Sequence, residues 1–292
     1  MEQWIYLNGE FVTKQDAKVS VYDHGFLYGD GIFEGIRIYN GNIFKCNEHL
    51  ERLYDSAKSI MLDIPLTMDE MRQALIESVK RNGLRDGYIR LVVSRGPGDL
   101  GLDPRRSPKA NVIIIVEQLA IYPEEAYVNG LTIVSVSTRR NVPDALNPKI
   151  KSLNYLNNVL VKIQANLAGV GEALMLNSQG YVTEGSGDNI FIVKKGVILT
   201  PPCYLGALEG ITRAAIIEIA RKAGYVVKEE PFTLHDVYVA DEVFMTGTAA
   251  EVIAVREVDG RIIGSGKAGP ITTFLLKEFR SIVDKDGVQV YA

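Results

Sequence analysis

Pro148-Lys-Ile-Lys151-Ser-Leu-Asn-Tyr155-Leu-Asn-Asn158 sets a lysine between a turn-rich approach and a helix. Asn141, Pro143, Asp144, Asn147 and Pro148 crowd the residues before it, and over 155–167 apolar residues recur at helical spacing. Lys151 therefore falls on a junction. A lysine taken singly is usually a solvated charge, so a chemical role has to be carried by the rest of the chain.

Downstream of Lys151, residues 172–177, 189–194, 197–200 and 242–246 read as strands and 212–223 as a helix, and just upstream 132–137 reads as a strand. A partly closed sheet flanked by helices, of α/β character, fits that order. Further upstream, 4–7 and 10–12 read as a hairpin turned by Asn8-Gly9, since the two turn positions need positive φ. Residues 48–61 and 67–82 are amphipathic helices, the second opened by Thr67 with Glu70 three residues on, a capping box. Strands follow at 88–94 and 112–118. Strands and helices segregate there, which predicts an α+β first domain over 1–119. The pattern lapses over 120–130, with Pro123-Glu-Glu marking a linker, and 131–292 is expected to form a larger second domain.

Two domains suit 292 residues. The net charge of −4, with both signs interspersed, offers no basic stripe for nucleic acid and no polybasic patch for anionic lipid. The first residues lack the basic and apolar regions of a signal peptide, and the longest apolar runs, such as 112–116, are strand length, so a cytoplasmic protein is expected. Cys46 and Cys203 stand far apart, and His24, His49 and His235 are equally scattered; neither a disulfide framework nor a metal site is expected.

Two motif matches fail. Gly29-Asp-Gly31-Ile-Phe-Glu34 has glutamate where a dinucleotide fingerprint needs its third glycine, and Gly264-Ser-Gly266-Lys267-Ala268 lacks the Ser or Thr of a P-loop. Glycines 25, 29, 31 and 35 nevertheless alternate with aromatics, Tyr28 and Phe33 among them, so backbone passes close to something there. Spacing leaves a bulged strand corner and a pocket wall equally open.

The remaining signals point to an anion and a ring. Ala207-Leu-Glu-Gly210-Ile211-Thr212-Arg213 runs into a helix whose first amides can cradle a phosphate, or whose Thr212 is simply an N-cap. Thr246-Gly247-Thr248-Ala249-Ala250 is a second amide-rich turn after a strand. Glu184, in Tyr181-Val-Thr-Glu184-Gly-Ser-Gly-Asp-Asn189, is placed for burial and needs a cationic partner, which a protonated pyridine nitrogen would supply. A lysine amine, a phosphate cradle and a carboxylate at a ring nitrogen are together what pyridoxal phosphate requires.

Lys-Ser-Leu-Asn-Tyr from Lys151, Thr-Glu-Gly-Ser-Gly-Asp-Asn from Thr183, Leu-Glu-Gly-Ile-Thr-Arg from Leu208 and Thr-Gly-Thr-Ala-Ala-Glu from Thr246 resemble, in order and over nearly the whole chain, the class IV aminotransferases, the fold-type IV pyridoxal phosphate enzymes. The resemblance implies a small α+β N-terminal domain, a larger C-terminal pseudo-barrel, the cofactor between them, and a homodimer or higher oligomer. It implies that Lys151 holds pyridoxal 5'-phosphate and moves the proton at substrate Cα, that Glu184 keeps the pyridine nitrogen protonated, and that Tyr155 meets the phenolic oxygen. Arg52, Leu208, Ile211, Thr212, Gly247 and Thr248 would complete the cofactor site.

His24-Gly-Phe-Leu-Tyr28-Gly-Asp-Gly-Ile-Phe33-Glu-Gly-Ile-Arg and Gly87-Tyr88-Ile-Arg90 look like the branched-chain type, which exchanges amino groups between Leu, Ile or Val and 2-oxoglutarate. Phe33, Tyr28, Tyr88, Tyr122 and Tyr155 would then wall an apolar pocket, Arg90 would accept the second carboxylate of glutamate, and the Thr248 and Ala249 amides would hold the α-carboxylate. Tyr28 and Leu100 would reach in from the neighbouring subunit. D-amino-acid aminotransferases share the Lys-Ser-Leu-Asn motif but carry an Arg-x-His carboxylate trap, which is missing here, with Arg105 and Arg106 just beyond as candidates for that task. An aminodeoxychorismate lyase is the rival in another reaction class.

Overall fold

The computed structural model describes residues 2–118 and 122–291, and the chain forms two compact units. The first comprises Met1–Leu119, Ile150–Asn154 and Val283–Ala292, the second Ala120–Lys149 and Tyr155–Ile282. The expected boundary at 119/120 lies outside the described residues. Residues 150–154 and 283–291, which the sequence reading gives to the second domain, pack with the first because both add backbone pairing to its sheet.

In the first unit, β1 (Trp4–Leu7) and β2 (Glu10–Thr13) form the expected hairpin, Asn8 and Gly9 having φ of 53° and 98°. α1 (His24–Tyr28) is a short helix the sequence reading lacks, capped by Asp23, whose carboxylate accepts from Gly25 N at 2.7 Å. β3 (Gly31–Tyr39) and β4 (Asn42–Phe44) follow, then α2 (Cys46–Ser59), α3 (Met68–Asn82), β5 (Gly87–Ser94) and β6 (Asn111–Glu117). The α3 capping box forms as its sequence requires. A strand at Gly287–Gln289 pairs with β4 and gives a seven-stranded sheet in which it is followed by β4, β3, β5, β6, β1 and β2. β3 is buried along its whole length. Its Ile32, Ile36 and Ile38 pack with Leu50 and Leu53 of α2, Leu75 of α3, and Ile89, Leu91 and Ile114, each such burial contributing about 1.5–3 kcal/mol.

The second unit opens with α4 (Glu124–Asn129), where a linker is expected; Pro123 before it and two glutamates in its first turn favour a helix start. β7 (Leu131–Ser135), α5 (Leu156–Leu167), β8 (Glu172–Leu176), β9 (Val182–Gly185), β10 (Asn189–Lys194) and β11 (Val197–Thr200) lead to α6 (Ile211–Lys222). β12 (Val227–Glu229), α7 (Leu234–Tyr238), β13 (Glu242–Gly247), β14 (Glu251–Val258), β15 (Arg261–Ile262) and α8 (Pro270–Arg280) complete it. From β10 the sheet runs through β13, β14, β7 and β8 to β9, and β9 returns to β10 through the pair Glu184 and Asn189. That pairing closes the pseudo-barrel the resemblance implies. Phe191 and Phe244, partners across β10 and β13, stack with centroids 4.9 Å apart.

Candidate active site

In the first unit the segment bearing Lys151 lies along β3. Ser152 bridges to Ile32, the Lys151 carbonyl accepts the Phe33 N–H at 2.9 Å, and the Lys151 N–H donates to Ser56 Oγ on α2 at 3.2 Å. These ties fix the lysine backbone, and its Nζ lies 4.6 Å from the Phe33 ring centroid.

Antiparallel register sets Gly35 opposite Arg90 and Arg37 opposite Tyr88, so Phe33, Arg90, Tyr88 and Arg37 share one face of the sheet. The Arg90 guanidinium lies 4.7 Å from the Phe33 centroid and 5.5 Å from that of Tyr88, and donates to Tyr88 Oη at 3.1 Å. A Cβ at position 35 would stand 1.9 Å from that hydroxyl. Glycine at 35 thus serves the close approach of an aromatic side chain on a strand that pairs with β5 without a register shift. Arg37, not singled out from sequence, is buried with its guanidinium 4.6 Å from the Tyr39 ring centroid.

The other face of β3 carries Glu34, fully buried, which accepts from His49 Nδ1, Arg52 Nε and Arg52 Nη2 at 2.8 Å each. Burial alone would raise the Glu34 carboxyl; Arg52 and His49 outweigh it and hold the group well below the usual carboxylate range. Tyr28, at the end of α1, donates to the Leu100 carbonyl at 2.7 Å, and the two side chains stay 38% and 68% exposed. Arg105 pairs with Asp103 and Arg106 with Asp99 at 2.6 and 2.5 Å on the surface, so both are engaged by acids of their own loop.

In the second unit Glu184 occupies the pair that closes the barrel. Its Oε1 lies 2.8 Å from Arg140 Nε, and its Oε2 accepts from the Leu208 N–H at 2.8 Å and from Asn189 Nδ2 at 3.4 Å. The cation demanded by its burial is therefore present in the chain itself. Sequence reasoning missed Arg140; a buried arginine beside Arg139 looks like one more surface charge. Arg140 Nη1 also donates to Asn157 and Asn158, both at 3.2 Å.

α6 begins at Ile211 with Gly210 in the N-cap position and no side-chain cap, so Thr212 is a buried first-turn residue rather than the cap. Its opening amides have no intrahelical partner. A Cβ on Gly210 would stand 2.0 Å from Asn189 Oδ1, and one on Gly247 would stand 1.9 Å from Asp188 Oδ1, so a side chain at either position would displace the Asn189 or Asp188 side chain. Thr248 and Ala249 lie in the turn between β13 and β14, and Thr246 Oγ1 is buried without a hydrogen-bond partner among the described residues. Tyr155 sits at the N-cap position of α5; Tyr122 is partly buried, which pushes its hydroxyl pKa up. An uncapped helix start, an orphaned hydroxyl and a charge-compensated carboxylate fit a phosphorylated, protonated heteroaromatic ring. Among the described residues no group of three or more His, Cys, Asp or Glu is placed to hold a metal, and no helix is long and apolar enough to cross a membrane.

The fold is that of the fold-type IV pyridoxal phosphate enzymes. The model of the amino-transferase class IV family matches residues 31–258, and the chain belongs to that family. A Methanocaldococcus jannaschii protein provisionally named as a branched-chain-amino-acid aminotransferase is 56% identical over 98% of this chain and 99% of its own. The Escherichia coli branched-chain-amino-acid aminotransferase is 39% identical, over 94% and 91%. The branched-chain amino acid aminotransferase of T.th., crystallised with pyridoxamine 5'-phosphate and with N-(5'-phosphopyridoxyl)-L-glutamate, matches at TM-scores of 0.93 and 0.92. Those matches have 41% and 39% identity and cover 97% of this chain and 95% of that one.

Proposed function

We propose that the chain is a branched-chain L-amino-acid:2-oxoglutarate aminotransferase, working in the cytoplasm as a homodimer or larger homo-oligomer. The observation that carries the substrate reading is Arg90, hung between the Phe33 and Tyr88 rings and hydrogen-bonded to Tyr88 Oη. Apolar walls receive the side chain of leucine, isoleucine or valine, and one guanidinium among them receives the second carboxylate of glutamate. The surface ion pairs of Arg105 and Arg106 weigh against their use as a D-amino-acid carboxylate trap.

Lys151 would hold pyridoxal 5'-phosphate; once the substrate amine has displaced it, its free Nζ would take the Cα proton of the donor and, in the second half-reaction, deliver one to the Cα of the acceptor. The cofactor supplies the electron sink that makes this proton removable. Glu184 holds a proton on the ring nitrogen, with Arg140 and the Leu208 N–H fixing the carboxylate. Tyr155 donates to the phenolic oxygen. Arg52, the α6 amides of Ile211 and Thr212, and Thr248 in the turn after Gly247 bind the phosphate, while the Thr248 and Ala249 amides orient the substrate α-carboxylate. Tyr28 and Leu100, exposed in the single chain, complete the pocket of the neighbouring subunit, and Tyr122 adds an aromatic wall.

Incubation with L-leucine and 2-oxoglutarate is expected to yield glutamate and the branched 2-oxo acid in equal amounts. No glutamate under those conditions, with pyruvate released from aminodeoxychorismate, would replace the transfer reading with the lyase.

A further inference from the structure

We infer that Glu34 is a positioning residue for the cofactor: through the buried cluster it forms with His49 and Arg52, it fixes the Arg52 guanidinium in the orientation that meets the phosphate. The inference rests on the assignment of Arg52 to the phosphate made above. α2 carries His49, Arg52 and Ser56 at i, i+3 and i+7, one face of the helix, and that face meets β3 and the Lys151 segment. Glu34 Oε1 takes Arg52 Nε, and Oε2 takes both Arg52 Nη2 and His49 Nδ1, at 2.8 Å each. The side-by-side arginine contacts form a planar fork, which locks a side chain that otherwise samples many rotamers.

As a stability device this cluster is a poor choice, because apolar residues of the same volume usually serve a core as well as a buried ion pair does. Its distinctive product is a guanidinium held still. The same helix face presents Ser56, which takes the Lys151 N–H, so the arginine proposed for the phosphate and the cofactor lysine share one support.

The test measures the affinity of the cofactor-free full chain for pyridoxal 5'-phosphate and for pyridoxal, which lacks the phosphate, by equilibrium ultrafiltration. Wild type, Arg52→Gln, Glu34→Gln and the double variant are compared, with Glu34→Asp alongside because it keeps the buried charge while withdrawing it by one methylene. Each single variant is expected to weaken pyridoxal 5'-phosphate binding by about tenfold or more, to leave pyridoxal within about twofold, and the double variant to be no weaker than Arg52→Gln. Should Glu34→Gln fail to fold, Glu34→Asp carries the comparison. An unchanged phosphate preference in the Glu34 variants, with Arg52→Gln impaired, refutes the positioning role. An unimpaired Arg52→Gln removes the phosphate assignment itself.

Discussion

Lys151→Ala is expected to lower the rate of amino transfer from L-leucine by at least about 10³-fold while the fold persists. The Lys151 backbone is held by hydrogen bonds to Phe33 and Ser56 that do not involve its side chain, so alanine keeps the segment on β3. Among the contacts the fold gives up is that of Nζ with the Phe33 ring, a matter of about 0.5–2 kcal/mol. What the reaction loses is the base for the Cα proton. The decisive comparison is initial rate against thermal midpoint on the same preparation: full activity removes Lys151 from the chemistry.

In the cofactor-free protein Arg140→Met is expected to cost about 3–5 kcal/mol of stability, because it strands Glu184 as a buried carboxylate without a cation. The two side chains are only 5% and 6% exposed and meet at 2.8 Å, so water cannot take over the role of either. The loss falls on the barrel's closing pair, Glu184 with Asn189, where strand pairing is least redundant. Urea denaturation gives the number directly. Adding Glu184→Gln to Arg140→Met should recover much of it, since the neutral amide no longer needs a cation; strictly additive losses would show that the two residues are not a unit.

Local grammar was legible in the sequence and closure was not. The Asn8-Gly9 turn, the Thr67 capping box and the junction around Lys151 are set by neighbours in the chain, and each forms as read. The return of Lys151 and of Gly287–Gln289 to the first sheet depends on pairing with β3 and β4, which no local pattern encodes. α8 and β14 went unread, as did α1, whose five residues begin after an aspartate cap inside a glycine-rich run. The site followed the same rule. Glycine-rich turns and a lone acid marked the positions proposed for the phosphate and the ring nitrogen, while the residues packed against them, Arg140 under Glu184 and Glu34 under Arg52, come from distant segments and carry no periodic signature. Gly35 lay between the two cases: its need for glycine was visible, and its reason, the Tyr88 hydroxyl, was not.

A single half-reaction separates branched-chain transfer from D-amino-acid transfer: the cofactor-loaded protein is mixed with excess L-leucine and no 2-oxo acid, with D-alanine in a parallel sample. Release of one equivalent of 4-methyl-2-oxopentanoate per cofactor is expected from L-leucine, with no pyruvate from D-alanine. Pyruvate from D-alanine with nothing from L-leucine would contradict it and place the chain with the D-amino-acid enzymes of the same family.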